Sequence, residues 1–223
     1  YRKKLTIFFS DIVGFTNMSD ELESEELTSL LNFYLNEMSK IALKFGGTID
    51  KFMGDGIMIF FGDPESLGIE EDAKKCLEMA LEMQSRMNEL KDYWGKNFGL
   101  KETLKMRIGI NTGICTVGNF GSEDRLDYTA MGGAVNLASR LEMLAKPSCI
   151  NVSEETKLLV GQRFKFKDPQ EAQVKGFLRT IKYFEMEQNK NLKSNPATSI
   201  QVSGKLPPDL MKLDEFISLP DLV

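Results

Sequence analysis

Apolar positions along the chain follow two periods, and their succession predicts strands interleaved with helices. Residues 4–10, KLTIFFS, carry apolar side chains on both faces, the mark of a strand buried in a sheet. Across residues 24–45, Leu27, Leu30, Leu31, Tyr34, Leu35, Met38, Ile41, Ala42 and Phe45 recur at helical spacing. Ser24 can cap that helix, Glu25 and Glu26 suit its first turn, and Gly46-Gly47 ends it. Residues 48–61 predict a hairpin, with β-rich runs on either side of Gly54-Asp55-Gly56. A second amphipathic helix is predicted over residues 70–93, with Ala73, Cys76, Leu77, Ala80, Met83, Met87 and Leu90 inward, and a loop from Trp94 to Leu104. Residues 105–112 read as a strand that turns at Gly113 into a second strand over 115–117, and residues 118–121 as a loop.

Residues 125–142, RLDYTAMGGAVNLASRLE, are the most informative stretch. A short extended run over 126–129 turns through Met131, Gly132 and Gly133 into a helix. Ala134, Leu137, Ala138, Leu141, Leu144 and Ala145 form its apolar stripe. Asn136 and Arg140 fall off that stripe, four apart, so they project the same way from neighbouring turns. A planar cation beside a neutral amide can hold an anionic group and a nearby oxygen. On this window alone, a solvated charge and a polar filler explain the pair equally well. Pro147 stops the helix; 149–152 read as a strand, Ser153 opens a short helix, and 163–174 with 180–187 form a final antiparallel pair. From 188 the composition shifts to Asn, Lys, Ser, Thr and Pro, as in a linker, with one candidate docking helix over 209–217. The expected organisation is a domain over residues 1–187 and an extension over 188–223. Its expected class is α+β, an antiparallel sheet of the ferredoxin-like kind with helices on one face.

Composition narrows the chemistry. A formal net charge of −5 over 223 residues argues against nonspecific binding to nucleic acid or an anionic membrane. No run approaches the roughly 18 apolar residues of a membrane span, and there is no signal-peptide pattern. Opening on Tyr1, the chain is expected to be a piece of a longer cytoplasmic protein, with an upstream membrane or sensor segment compatible with it. The three cysteines, Cys76, Cys115 and Cys149, are far apart among apolar residues and read as buried free thiols. Histidine is absent, which removes Ser-His-Asp and Cys-His machinery and His-rich zinc sites. Catalysis here must rest on carboxylates, lysine, arginine, amides and oxygen-held metal ions.

Two carboxylates stand out. Asp11 ends the first strand beside Gly14, and Asp55 sits between glycines at the hairpin turn. Turn or cap chemistry explains either one alone. If their strands are neighbours, the two converge, repel, and call for a divalent cation between them. Lys51, four residues before Asp55, has an exposed strand lysine as its plain alternative.

Three separated segments then fall into register with one family. FSDIVGFT at 9–16, KFMGDGIMIFFG at 51–62 and DYTAMGGAVNLASRLE at 127–142 resemble the class III nucleotide cyclase catalytic domain, and the resemblance spans roughly residues 4–187. It implies that Asp11 and Asp55 hold two metal ions, Mg²⁺ or Mn²⁺, with the Ile12 carbonyl assisting. It implies that Lys51 and Thr129 read the purine and that Asn136 and Arg140 serve the reacting centre. The implied reaction is attack of a ribose 3′-oxygen on the α-phosphorus of the same nucleotide. Lysine with threonine resembles the bacterial subclass related to bicarbonate-responsive adenylate cyclases, so ATP is the expected substrate. The family also implies a head-to-tail homodimer in which each active site draws on both chains, under upstream sensor domains. Two positions depart from the usual pattern. Gly133 stands where many relatives have aspartate. Phe177 stands where many have a phosphate-touching lysine, a role Lys175 or Arg179 would have to take. A nucleotide-binding regulatory domain without turnover, and a guanylate cyclase, are the competing readings.

Overall fold

The computed structural model describes residues 1–189; the predicted linker and the candidate helix at 209–217 lie outside the described residues. Tyr1–Gln188 form one compact unit. Its elements run β1 (Arg2–Ile12), α1 (Phe15–Glu21), α2 (Ser24–Lys44), β2 (Thr48–Met53), β3 (Gly56–Phe61), α3 (Ile69–Glu89), α4 (Tyr93–Phe98), β4 (Met106–Ser122), β5 (Arg125–Met131), α5 (Gly133–Leu144), β6 (Ile150–Ser153), α6 (Glu154–Val160), β7 (Gln170–Ala172) and β8 (Ile181–Glu185).

The sheet order is β2-β3-β1-β4-β6-β8-β7, with β5 on the outer half of β4. β1 runs antiparallel to both β3 and β4, so β1 and β2 are parallel with β3 inserted between them. That is the split βαβ arrangement of ferredoxin-like folds. One pairing, β4 with β6, is parallel, which makes the expected sheet mixed.

Strand alternation divides the core in two. Phe8 and Ile12 of β1, Ile57 and Ile59 of β3, and Ile108 and Ile110 of β4 meet Leu30, Tyr34 and Met38 of α2 and Cys76, Leu77 and Met83 of α3. Leu5, Ile7 and Phe9 point the other way, where Met58, Phe60, Cys115, Val117, Ala130 and Ala138 join them. Helices therefore cover both faces, not the single face expected. α5 reaches the second face because Gly109 leaves it room: a Cβ there would lie 2.1 Å from the Glu142 nitrogen and 2.4 Å from the Ala138 carbonyl oxygen.

Four local expectations are corrected. Residues 118–121 are strand, paired with residues 126–129 of β5, because the two runs satisfy each other's backbone groups. The predicted helix over 70–93 ends at Glu89, and Trp94 lies in α4, fully buried. The turn expected at Gly113 is absent: β4 runs through it unbroken from Met106 to Ser122, with Gly113 paired to Leu5 of β1. Ser24 is the first helical residue, not the cap; Glu23 holds that place without a side-chain cap. Cys76 and Cys115 are buried and Cys149 half-buried, all as free thiols. Among the described residues no helix is long and apolar enough to cross a membrane.

Candidate active site

Asp11 is the next-to-last residue of β1 and Asp55 lies in the turn between β2 and β3. Pairing of Ser10 with Ile57 brings that turn to the end of β1. Met53 faces Gly56, so the turn pair is Gly54-Asp55. Gly54 has φ 63°, the first central position that type II′ turns give to glycine. Asp55 is thereby aimed back at β1, and its Oδ2 accepts the Ile12 amide at 2.7 Å.

Asp11 is clamped from the next strand. Arg107 faces it across β1 and β4 and donates from Nε at 2.7 Å and Nη2 at 2.9 Å to its two oxygens, a bidentate pair. Arg107 Nη1 donates to the Met143 carbonyl at 3.1 Å, tying the clamp to the end of α5. Glu142 Oε1 also lies 2.7 Å from Arg107 Nε, but off the line of a hydrogen bond. Burial raises the Glu142 carboxyl well above the usual range, and nearby Asp11 adds to it. Burial likewise raises Asp55, against the opposing hydrogen bond from Ile12, and Asp11 again pushes it further.

Asp11, Ile12, Asp55 and Arg107 line one open groove of about 220 Å³, with Gly14, Phe15, Thr16 and Asn17 of the β1–α1 junction. Two carboxylates, with a backbone carbonyl and no sulfur or imidazole, form a hard-oxygen donor set. Among the described residues no cluster of three or more His, Cys, Asp or Glu could hold a metal ion. A cation in this groove would therefore complete its shell with water and phosphate, as Mg²⁺ does.

The other expected site residues form separate groups. Lys51 is exposed on β2, and Thr129 is buried on β5. Asp50 joins them: its Oδ2 accepts the Thr129 hydroxyl at 2.6 Å and the Ala130 amide at 3.2 Å, and its Oδ1 lies 3.3 Å from Lys51 Nζ. Asn136 is exposed and Arg140 half-buried on the free side of α5, where Arg140 Nη1 lies 3.4 Å from Met143 Sδ. None of these four residues lines the groove of the two aspartates. Lys175 is exposed between β7 and β8, and Phe177 is half-buried there. The sequence reading does not single out Asp50, Arg107 or Glu142. Asp50 carries a faint signal as the acidic neighbour of Lys51; the other two act only through strand register and helix docking.

Residues 2–187 match the family model described as the adenylate and guanylate cyclase catalytic domain. The crystal structure of the adenylyl cyclase CyaB from P. aeruginosa is similar at TM-score 0.83 and 50% identity, over 86% of this chain and 97% of that one. That of the guanylyl cyclase Cya2 is similar at TM-score 0.80 and 36% identity, over 87% and 96%. An adenylate cyclase of Anabaena cylindrica is 36% identical over 152 residues, 67% of this chain. The chain spans 29% of the length of that relative and 21% of an adenylate cyclase of Rhizobium meliloti. With the match running from the start of β1 to beyond the end of β8, the chain belongs to the adenylate and guanylate cyclase catalytic domain family.

Proposed function

We propose that this chain is the catalytic domain of an adenylate cyclase, converting ATP to 3′,5′-cyclic AMP and pyrophosphate in a head-to-tail homodimer. The observation that carries this reading is the meeting of Asp11 and Asp55, from separate strand ends, in one groove with a hard-oxygen donor set. Asp11, Asp55 and the Ile12 carbonyl would hold two divalent ions, Mg²⁺ or Mn²⁺. Ions so held supply Lewis acidity at the attacking oxygen and the triphosphate. Arg107 holds the Asp11 carboxylate in one orientation through both of its oxygens.

Asn136 orients the ribose so that its 3′-oxygen lies in line with the α-phosphorus. Arg140 neutralises charge that builds on the α-phosphate as the bond to the pyrophosphate oxygen breaks. The new bond joins the 3′-oxygen to the α-phosphorus, the 3′ proton leaves, and pyrophosphate departs with the bonding pair. No protein nucleophile is needed, which agrees with a chain that has no histidine. Lys51 donates to the acceptor ring nitrogen of adenine and Thr129 accepts from its amine. Lys175 is the candidate for the contact that a lysine at position 177 makes in relatives.

Two features support a shared site. Lys51, Thr129, Asn136 and Arg140 do not line the aspartate groove of their own chain. Phe52, Met53, Leu126 and Met131, on the two strands that carry the purine pair, leave 46–58% of their surfaces exposed, an apolar area that a second chain would cover. The setting proposed for the dimer is the cytoplasm, with upstream regulatory domains as its control.

Product analysis of the dimeric protein with ATP and with GTP, each with Mg²⁺ or Mn²⁺, tests the reading. Cyclic AMP formation exceeding cyclic GTP formation is expected. Cyclic GTP as the main product would make it a guanylate cyclase, and no cyclic product from a dimer would make it a binding domain.

A further inference from the structure

Asp50 lies between the two side chains assigned to the purine, and its side chain is 1% exposed. Three donors converge on it: the Thr129 hydroxyl and Ala130 amide on Oδ2, and the Lys51 ammonium beside Oδ1. A carboxylate accepts hydrogen bonds and gives none, whereas a hydroxyl has one proton and two lone pairs. The hydrogen in the 2.6 Å contact therefore belongs to threonine, and Thr129 has no second one to give. Its other polar contact among the described residues, the Ala130 carbonyl at 3.5 Å, would draw on that same proton. Burial of both side chains keeps water from releasing it.

We propose that Asp50 is a specificity-determining positioning residue for the base. By taking the Thr129 proton it makes that hydroxyl an obligate acceptor, and by holding Lys51 it sets a donor beside it. The pair then fits a purine edge that offers an amine donor at C6 and an acceptor at N1, which is adenine. Guanine offers an acceptor at O6 and a donor at N1, so it is mismatched at both points. Without Asp50 the hydroxyl is free to turn and donate, and discrimination at C6 is lost. This deepens the adenylate cyclase reading and rests on its assignment of Lys51 and Thr129.

The test compares kcat/KM for ATP, GTP and purine riboside 5′-triphosphate, which lacks any group at C6, using the full dimeric chain. The wild type should prefer ATP, and Thr129→Val should lower the ratio of ATP to the riboside analogue. Asp50→Ala should lower the ATP/GTP ratio and the ATP/analogue ratio about tenfold each, the worth of one hydrogen bond. Asp50→Asn, which keeps an acceptor for Thr129, should retain more of both. A purely structural loss would lower all three substrates together and leave the ratios unchanged. Should Asp50→Ala fail to assemble, Asp50→Ser, too short to reach Thr129, replaces it. Wild-type ratios in Asp50→Ala, alongside an ATP-preferring wild type and a sensitive Thr129→Val, overturn the role of Asp50 alone. A GTP-preferring wild type, or Thr129→Val with unchanged ratios, overturns the purine assignment and this inference with it.

Discussion

Asp63, just past β3, is a carboxylate with a 1% exposed side chain and donors around it. The Tyr1 and Tyr128 hydroxyls donate to it, and Lys3 Nζ approaches at 3.0 Å. Burial alone would raise its proton affinity, but these partners outweigh burial and hold the carboxyl below its usual value of 3.8. A depressed folded value means stability that is present above the unfolded value and lost as pH falls through the folded one. Asp63→Asn should therefore be less stable than wild type at neutral pH, with the gap closing below about pH 4. Denaturant unfolding across that range checks the sign; a gap that widens in acid contradicts it. The same side chains show what could be read from sequence. Asp11 and Asp55 were legible as candidates because an acid at a strand end or between the glycines of a hairpin turn is a local pattern. Asp50, Arg107 and Glu142 were not, because their partners lie across strands or on a helix distant in sequence.

The long helices α2 and α3 were legible from periodicity, since a face buried against a sheet must repeat with the helical turn. The outer half of β4 was not. Gly118 and Gly121 suggest a loop, yet seven residue pairs with β5 hold that segment in the sheet. The placement of α5 was hidden as well, because it depends on the missing side chain of Gly109. Filling that space should push α5, and Glu142 with it, off the sheet. Gly109→Ala is expected to cost about 1–3 kcal/mol or more by overpacking, and to lower the melting temperature by several degrees. Cyclase turnover should fall as well, since Arg107 is tied to the end of α5 through Met143. A thermal melt with a parallel activity assay checks both; an unchanged melt would mean that α5 does not rest on Gly109.

One chain of this fold presents its chemistry in separate parts. The groove of Asp11 and Asp55 lies at the ends of β1 and the β2–β3 turn, the proposed purine pair Lys51 and Thr129 on β2 and β5, and Asn136 with Arg140 on the free side of α5. Motif order along the sequence was enough to expect this family and its sheet. In the proposed dimer a second copy brings the parts together, because an active site drawn from two chains leaves its pieces apart in each. In such a dimer Asp55→Ala breaks one contribution and Arg140→Ala breaks the other. A dimer of one variant chain with the other therefore contains one fully intact site and one doubly broken site.

The most direct measurement is the cyclase activity of Asp55→Ala and Arg140→Ala, each alone and after co-assembly into mixed dimers confirmed by native mass spectrometry. Each variant alone should lose turnover, and the mixture should regain a substantial fraction of it. Folded mixed dimers that remain as inactive as either parent would contradict the shared site.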